Sequence, residues 1–588
     1  MRFAQLTTLD LAVMATFVAV AVGIGWWSRG RSRSASGFLD TGRSMSSWVA
    51  GLAVVSVNVG VLEVIGMGAA GARYGFAAAH FYWLGAIPAL VFAGLVVMPV
   101  YHASGARSVP DYLGLRFDEK TRVLTSIAFA TLMVASAGVT LYVVGKTFRF
   151  MLGWDFGVIV LAAAALVLTY VVLGGLRSAM YNGALQLIVV IVGLVPVVVL
   201  GLAATDGWRL LVHRLSQSAI NSQLPPAIYT HLWKGMGHPL TNAFGVEGVT
   251  LVMGLGVVLS FGYWCTDVRV VQRALAAESI VAARRAPIIA AALSLVLPAI
   301  LILPGALAIM LGGGESGAPY GGIGQGLIPG RRAADGAALM NAAGRTMLDF
   351  DMATPLMIVS ILPAGLLGLA LTALLASCMA GMAASVTAFN SIWTGDIYQA
   401  HIRKGATDAH YLHVGRAATV GGVVLAVLVA YVARSYDSLL DFLPVVFAFV
   451  HAPLLATVLL GMFWKRATGH GAFAGLLTGA MAALAHHGLS LARGSVPGVK
   501  GGFVTVLLTY RGELAQVFVT AIVACASCAF VTVVVSRFTV PRPQSALDGL
   551  VYGRGSRPGE PEVAWWRRPV ALATVVVGAA VFLNVLFY

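Results

Sequence analysis

From Ser56 to Tyr74 the chain reads S-V-N-V-G-V-L-E-V-I-G-M-G-A-A-G-A-R-Y. The stretch is apolar enough for a membrane, yet glycines interrupt it at Gly60, Gly66, Gly68 and Gly71, and it carries Asn58 and Glu63 near its middle. Each glycine weakens a helix by about 1 kcal/mol relative to alanine. A charged side chain at the bilayer centre costs at least about 2.5–3.5 kcal/mol. A helix that served only as an anchor would have no use for either feature. Such residues face a cavity or a partner, so the stretch reads as an interrupted helix at a binding site.

The composition agrees. Only 10% of the 588 residues are charged and 59% are hydrophobic, with a mean hydropathy of +0.88, against roughly 25% charged in soluble domains. This is an all-α polytopic membrane protein, with no polar stretch long enough for a soluble enzyme domain. The net charge of +15 comes in short clusters between apolar runs, which marks topology rather than a nucleic-acid surface. Cys525 and Cys528 form a C-x-x-C inside an apolar run and read as small packing residues. The N-terminus has no signal-peptide pattern, so the first apolar run is expected to remain as a span.

At roughly 20 residues per crossing, about fourteen segments are long enough: 8–27, 46–73, 77–101, 122–148, 157–174, 178–204, 245–267, 286–312, 356–395, 411–433, 438–463, 471–490, 515–536 and 568–588. The ninth is too long for one crossing and predicts a short helix near Pro355–Leu366 before the span. Odd-numbered loops hold the basic clusters (Arg29, Arg31 and Arg33; Arg107, Arg116, Lys120 and Arg122; Arg269, Arg273, Arg284 and Arg285). By the positive-inside rule these loops are cytoplasmic and both termini extracytoplasmic.

A second glycine-rich span repeats the first five crossings later. Val246–Asp267 reads V-E-G-V-T-L-V-M-G-L-G-V-V-L-S-F-G-Y-W-C-T-D, with Gly254, Gly256 and Gly262 beside Ser260, Thr266 and Asp267. Two broken helices at matching positions predict a 5+5 inverted repeat whose halves meet at the site. The first and sixth core helices would be discontinuous, the second break falling within 254–264. The expected organisation is an extra helix and loop (1–45), a first repeat (46–204), an external loop (205–244), a second repeat (245–463) containing an external loop (313–352), and peripheral helices (464–588).

Four stretches then resemble one family, the sodium/solute symporters: T-Y-V-V-L-G-G-L-R-S-A-M-Y-N-G-A-L-Q (Thr169–Gln186), Y-W-C-T-D-V-R-V-V-Q-R-A-L-A-A (Tyr263–Ala277), G-M-A-A-S-V-T-A-F-N-S-I-W-T-G-D-I-Y (Gly381–Tyr398) and L-L-G-M-F-W-K-R-A-T-G-H-G-A-F-A-G-L (Leu459–Leu476). Their order and spacing match over about residues 8–540. The resemblance implies a LeuT-like fold and sodium-driven uptake of a small polar solute by alternating access across the plasma membrane, the inner membrane of a bacterium. The family's sodium site falls on Ser56 and Val59 of the first core helix and on Ser377, Ala380 and Gly381 of the eighth. The chain departs from the family here, because Ala380 and Gly381 replace paired hydroxyl residues. Ser385 and Thr387 lie further along the same helix. Two more departures are Gly183, where the family has an acidic residue, and Pro444, where it has a polar one.

Asn58, Glu63, Ser260, Tyr263 and Trp264 are the expected solute and gate residues. Glu63 reads as a solute contact, a proton carrier or half of an ion pair. Asp267 with Arg269 reads as a surface pair as readily as a site. His451 reads as a hydrogen-bonded core histidine. No phosphate loop, nucleophile elbow or metal-ligand spacing is present, so neither ATP-driven transport nor an enzyme is expected. Proton-coupled or uncoupled transport on the same scaffold, and a solute sensor that does not transport, are the alternatives. The expected partners are Na+, a small polar solute and membrane lipid, with no nucleic acid; the sequence leaves the oligomeric state open.

Overall fold

The computed structural model describes residues 5–221, 225–311, 324–331, 337–340, 346–434, 439–553 and 564–588. Most of the 313–352 loop lies outside these residues, as does the Pro444 side chain. Helices dominate: α1 (Thr8–Ser28), α2 (Ser47–Asn58), α3 (Val61–Tyr74), α4 (Phe81–Ser104), α5 (Glu119–Leu152), α6 (Phe156–Ala204), α7 (Gly248–Thr266), α8 (Val268–Leu275), α9 (Ile280–Ser294), α10 (Leu297–Met310), α11 (Ala353–Ile361), α12 (Leu366–Ile402), α13 (Asp408–Ala433), α14 (Leu439–Phe463), α15 (Gly469–Leu489), α16 (Glu513–Phe538) and α17 (Pro569–Leu586).

Among the described residues ten helices are long and apolar enough to cross a membrane. Two bent pairs, α2 with α3 (60°) and α9 with α10 (48°), raise this to twelve. Helix α6 counts once there but is two arms. Its 49 residues would run about 74 Å if straight, at about 1.5 Å per residue, more than twice a hydrocarbon core of about 30 Å. The chain turns at Gly175 (φ 55°, ψ −144°), a left-handed conformation that glycine adopts without strain. Helix α14 supplies another apolar rod of 25 residues. The short helix expected before the eighth core span is α11.

The sequence supplies the helix starts. Ser46, Asp118, Asp155, Thr407 and Thr468 each accept a first-turn backbone N–H. Thr7 and Asp10 form a reciprocal capping box, satisfying donors that a helix start leaves open. The same Asp10 carboxylate also accepts from the amides of Gly365 and Gly368, both at 2.7 Å. One buried side chain therefore caps α1 and tethers it to the start of α12.

Helix α12 is the most enclosed of the long spans and packs against α1, α5, α6 and α13. Helices α1, α6, α13, α16 and α17 expose large apolar side chains outward, including Val192, Leu428, Phe530 and Phe582. This surface suits lipid rather than water. Helices α3 and α10 touch through glycine: a Cβ on Gly71 would overlap the Ile302 carbonyl, and one on Gly305 the Gly68 carbonyl. Small residues let membrane helices approach this closely.

The sixth core helix corrects the sequence reading. Residues 254–264 are coiled without interruption, π-helical over Leu251–Leu259 and α-helical from Ser260 to Thr266. The break comes at Asp267 (φ −68°, ψ 125°). The glycines expected to break the helix instead admit neighbours: Cβ atoms on Gly254 and Gly262 would press on Phe518 and the His451 carbonyl. Close packing, not interruption, explains them.

The α3–α10 contact predicts that Gly305→Ala lowers the melting temperature of the purified protein, because the methyl meets main chain that cannot move aside. A variant melting with the parent would show that these helices are not held together as described.

Candidate functional site

Helix α2 ends at Asn58 and α3 begins at Val61. Between them Val59 (φ −85°, ψ 46°) and Gly60 (φ −75°, ψ 172°) leave helical geometry. Val59 N still donates to Val55 O at 3.0 Å, and the amides of Glu63 and Val64 both return to Gly60 O at 3.0 Å. Among the described residues no backbone N–H reaches the carbonyls of Ser56, Val57, Asn58 and Val59. The negative end of one half-helix thus meets the positive end of the next, and bare carbonyls there suit a cation.

The break lies against α12. A Cβ on Gly60 would stand 3.5 Å from Gly381 Cα and 3.6 Å from Ser377 O. A methyl just fits; a larger side chain would push the break away. The five expected ion-site residues therefore lie on the two segments that meet here, Ser56 and Val59 on one and Ser377, Ala380 and Gly381 on the other. The Ser56 hydroxyl donates to Ala53 O (2.9 Å) and the Ser377 hydroxyl to Leu374 O (2.8 Å), so both oxygens keep lone pairs free. Ala380 and Gly381 bring no side-chain oxygen. Thr140 of α5, which sequence reasoning missed, stands beside them. A Cβ on Gly381 would lie 3.8 Å from Thr140 Oγ1, whose proton goes to Ser136 O at 2.7 Å. The donor set is all oxygen, which fits a hard cation such as Na+. At the departure Gly183, a Cβ would reach 2.6 Å from Ser56 Oγ; that position has no room for a side chain in this conformation.

One turn into α3, Glu63 is half-buried. Its Oε1 accepts from Tyr82 (2.7 Å) and from Asn58 Nδ2 (3.2 Å). Oε2 has no hydrogen-bond partner among the described residues. Among the described residues no cation pairs with Glu63, so the ion-pair reading of this residue is corrected. Tyr82, on α4, reads from sequence with His80 and Trp83 as an outer lining or an interfacial aromatic belt; it is instead buried against Glu63, a register that depends on tertiary packing.

The expected gate residues are dispersed. Ser260 is buried, donates to Leu255 O (2.7 Å) and packs on Gly85. Trp264 is buried in the core. Tyr263 is half-buried and touches Trp264, Phe447 and His451, with the Arg269 guanidinium 5.8 Å from its ring.

Asp267 is also corrected, from the surface to the interior. It is fully buried and bidentate to Arg269 at 2.9 and 2.8 Å, while accepting the Arg269 backbone N–H. Arg269 Nη1 lies 3.5 Å from Ser385 of α12. His451 of α14 stands over the break, with Nε2 3.5 Å from Asp267 Oδ2. Thr266 Oγ1 is 2.5 Å from Gly262 O and donates there, so His451 Nδ1, 3.3 Å from the same oxygen, is the donor between them. The end of α7 is thereby pinned to α12 and α14.

Comparison with known proteins gives a consistent picture. A family model described as the sodium:solute symporter family matches residues 38–479. The sodium/glucose cotransporter of Vibrio parahaemolyticus is 26% identical, covering 80% of this chain and 84% of that protein. The human sodium/glucose cotransporter 4 is 27% identical, covering 96% and 79%. A rabbit (Oryctolagus cuniculus) sodium/myo-inositol cotransporter 2 is 27% identical, covering 81% and 68%. Among solved structures, a substrate-bound outward-open Na+-coupled sialic acid symporter superposes with a TM-score of 0.73 at 18% identity, covering 92% of this chain and 99% of that one. That likeness shows a shared LeuT-like fold.

The buried pair yields a direct test. Asp267→Asn leaves Arg269 uncompensated inside the protein, which costs about 3–5 kcal/mol. Thermal unfolding should register a large drop, and a variant as stable as the parent would mean that the pair is not buried.

Proposed function

Because the chain belongs to the sodium:solute symporter family, we propose that its Na+ and its solute bind on the two sides of the Val59–Gly60 break. The chain is a Na+-coupled secondary transporter of small solutes, not an enzyme. Na+ is taken by the carbonyls of Ser56 and Val59 with the hydroxyls of Ser377 and Thr140, Ala380 and Gly381 lending only backbone. The solute is a small hydroxyl-rich molecule, a sugar or polyol, held by Asn58 and the unengaged Glu63 Oε2, with Tyr263 bordering the path. The observation that carries this reading is the contact of Gly60 with Gly381 and Ser377, which sets bare carbonyls beside hydroxyl oxygens. The cotransporters named for glucose and myo-inositol support the solute class.

The proposed architecture is fourteen crossings, with inverted repeats at 46–204 and 245–463, peripheral segments at 1–45 and 464–588, and external loops at 205–244 and 313–352. Both termini lie outside the plasma membrane, which is the inner membrane in a bacterial cell. Rocking of one helix set against the other, hinged at the two breaks, moves the solute inward. A second reading, proton coupling on the same scaffold, draws on two observations. The ion site lacks side-chain oxygens at Ala380 and Gly381, and Glu63 keeps one carboxylate oxygen free.

Purified protein in proteoliposomes distinguishes the two readings. Uptake of labelled D-glucose or myo-inositol should require an inward NaCl gradient and fail with choline chloride; equal uptake in choline would remove Na+ from the mechanism. Ser377→Ala should raise the half-saturating Na+ concentration by roughly five- to tenfold, the worth of one uncharged hydrogen-bond-scale contact. Glu63→Gln should weaken solute affinity by roughly tenfold or more, the scale of a contact to a charged group. An unchanged Na+ dependence in Ser377→Ala would place the ion elsewhere.

A further inference from the structure

Away from the transport path, a hollow of about 520 Å³ opens where α5 ends, α6 begins and α13 ends. Its lining includes Lys146, Arg149 and Arg434 over an aromatic floor of Tyr142, Phe150 and Phe156. Phe156 is buried and carries the Arg434 guanidinium 5.2 Å above its ring. Arg149 and Arg434 are exposed and Lys146 half-buried. Among the described residues no carboxylate lies within ion-pair distance of any of the three. The nearby Asp155 is engaged in capping α6 through the amides of Gly157 and Val158. Among the described residues three cations thus line one hollow with no carboxylate paired to any of them.

The surroundings indicate which anion completes it. Trp154 beside the hollow is exposed, as aromatic side chains are at the level of lipid headgroups. Directly along the helices from the hollow, Val158 and Leu161 of α6 and Leu428 and Val432 of α13 are exposed apolar side chains, each more than half exposed. The site therefore has a cationic end at headgroup depth and an apolar track running into the hydrocarbon. In the topology proposed above this is the extracytoplasmic end, where basic residues are disfavoured as orientation signals, so orientation does not account for the cluster.

We propose that Lys146, Arg149 and Arg434 form a binding site for the phosphate of an anionic phospholipid, whose acyl chain lies along Val158, Leu161, Leu428 and Val432. The phosphodiester sits among three cations, and the aromatic floor keeps the headgroup at the surface. Clusters of Lys and Arg beside membrane helices recognise anionic headgroups by this combination of charge and depth. The assignment does not depend on which solute the protein carries.

Native mass spectrometry and thermal unfolding of the detergent-purified full chain test it. Palmitoyl-oleoyl phosphatidylglycerol should give retained adducts and raise the melting temperature. Phosphatidylcholine of the same chains should do neither, and nor should sodium phosphate at matched ionic strength. The triple variant K146Q/R149Q/R434Q should bind phosphatidylglycerol roughly a hundredfold more weakly, at about fivefold for each basic residue removed. A control with the same charge loss elsewhere, R209Q/R214Q/R493Q, should bind it like the parent. If the triple variant does not fold, R149Q alone should show the fivefold loss. Equal binding of the two lipids, or undiminished binding by the triple variant or by R149Q, would overturn the site. Stabilisation by phosphate as strong as by phosphatidylglycerol would overturn the lipid assignment in favour of a free anion.

Discussion

Two glycines facing each other across a helix boundary set the terms for the rest of the molecule. Where Gly60 meets Gly381, the main chain of a broken helix lies directly against the main chain of an unbroken one. Peptide carbonyls inside a membrane are ordinarily satisfied within their own helix, because hydrocarbon offers no donors. The four carbonyls at the end of α2 are released from that rule only because protein surrounds them. Bare carbonyls are costly without a partner and favourable with a cation, which is why the proposed ion site is put at this contact. The neighbouring hydroxyls of Ser56, Ser377 and Thr140 all donate to their own helices, leaving only acceptor capacity facing inward. In the proposed site, no formal negative charge stands among these oxygens.

Much of the surrounding structure keeps that contact in register. Helix α12 is enclosed by α1, α5, α6 and α13, and Asp10 fixes its start. The second break is built differently. At Asp267 the chain is closed by an internal ion pair, backed by His451 and reaching Ser385 on α12. One break is open and polar, the other sealed and charged, yet both touch α12. Hinges of alternating motion are placed where a few residues absorb large changes in φ and ψ, and in the proposed mechanism these two interruptions are the hinges. The motion would separate and rejoin contacts to α12 rather than bend intact helices.

The first break, the membrane class and the short helix ahead of α12 were legible in the sequence, because each follows from local features: glycine beside a carboxylate in an apolar run, overall composition, an apolar run too long for one crossing. The second break was misplaced. Gly254, Gly256 and Gly262 gave the same local signal as Gly60, but they admit Phe518, Leu84 and the chain at His451, which come from distant segments. The residue that does interrupt the helix, Asp267, resembled a surface charge because its burial depends on α12 and α14. Thr140 escaped notice, and Tyr82 read as part of an outer lining or aromatic belt, for the same reason: a tyrosine or threonine on an apolar helix gains meaning only from what it faces. The ion-site residues inferred from the family resemblance fall on the two segments that do meet. Thr140 adds an oxygen near the point where the family pattern is thinned.

Hydrogen–deuterium exchange of the purified protein, compared in NaCl and in choline chloride with no solute present, tests the central claim most directly. If Na+ is held between the end of α2 and the middle of α12, exchange should slow in peptides covering 56–68 and 374–385 and change little in helices α15 to α17. Identical exchange in the two salts, or protection confined to segments remote from Gly60 and Gly381, would contradict the account.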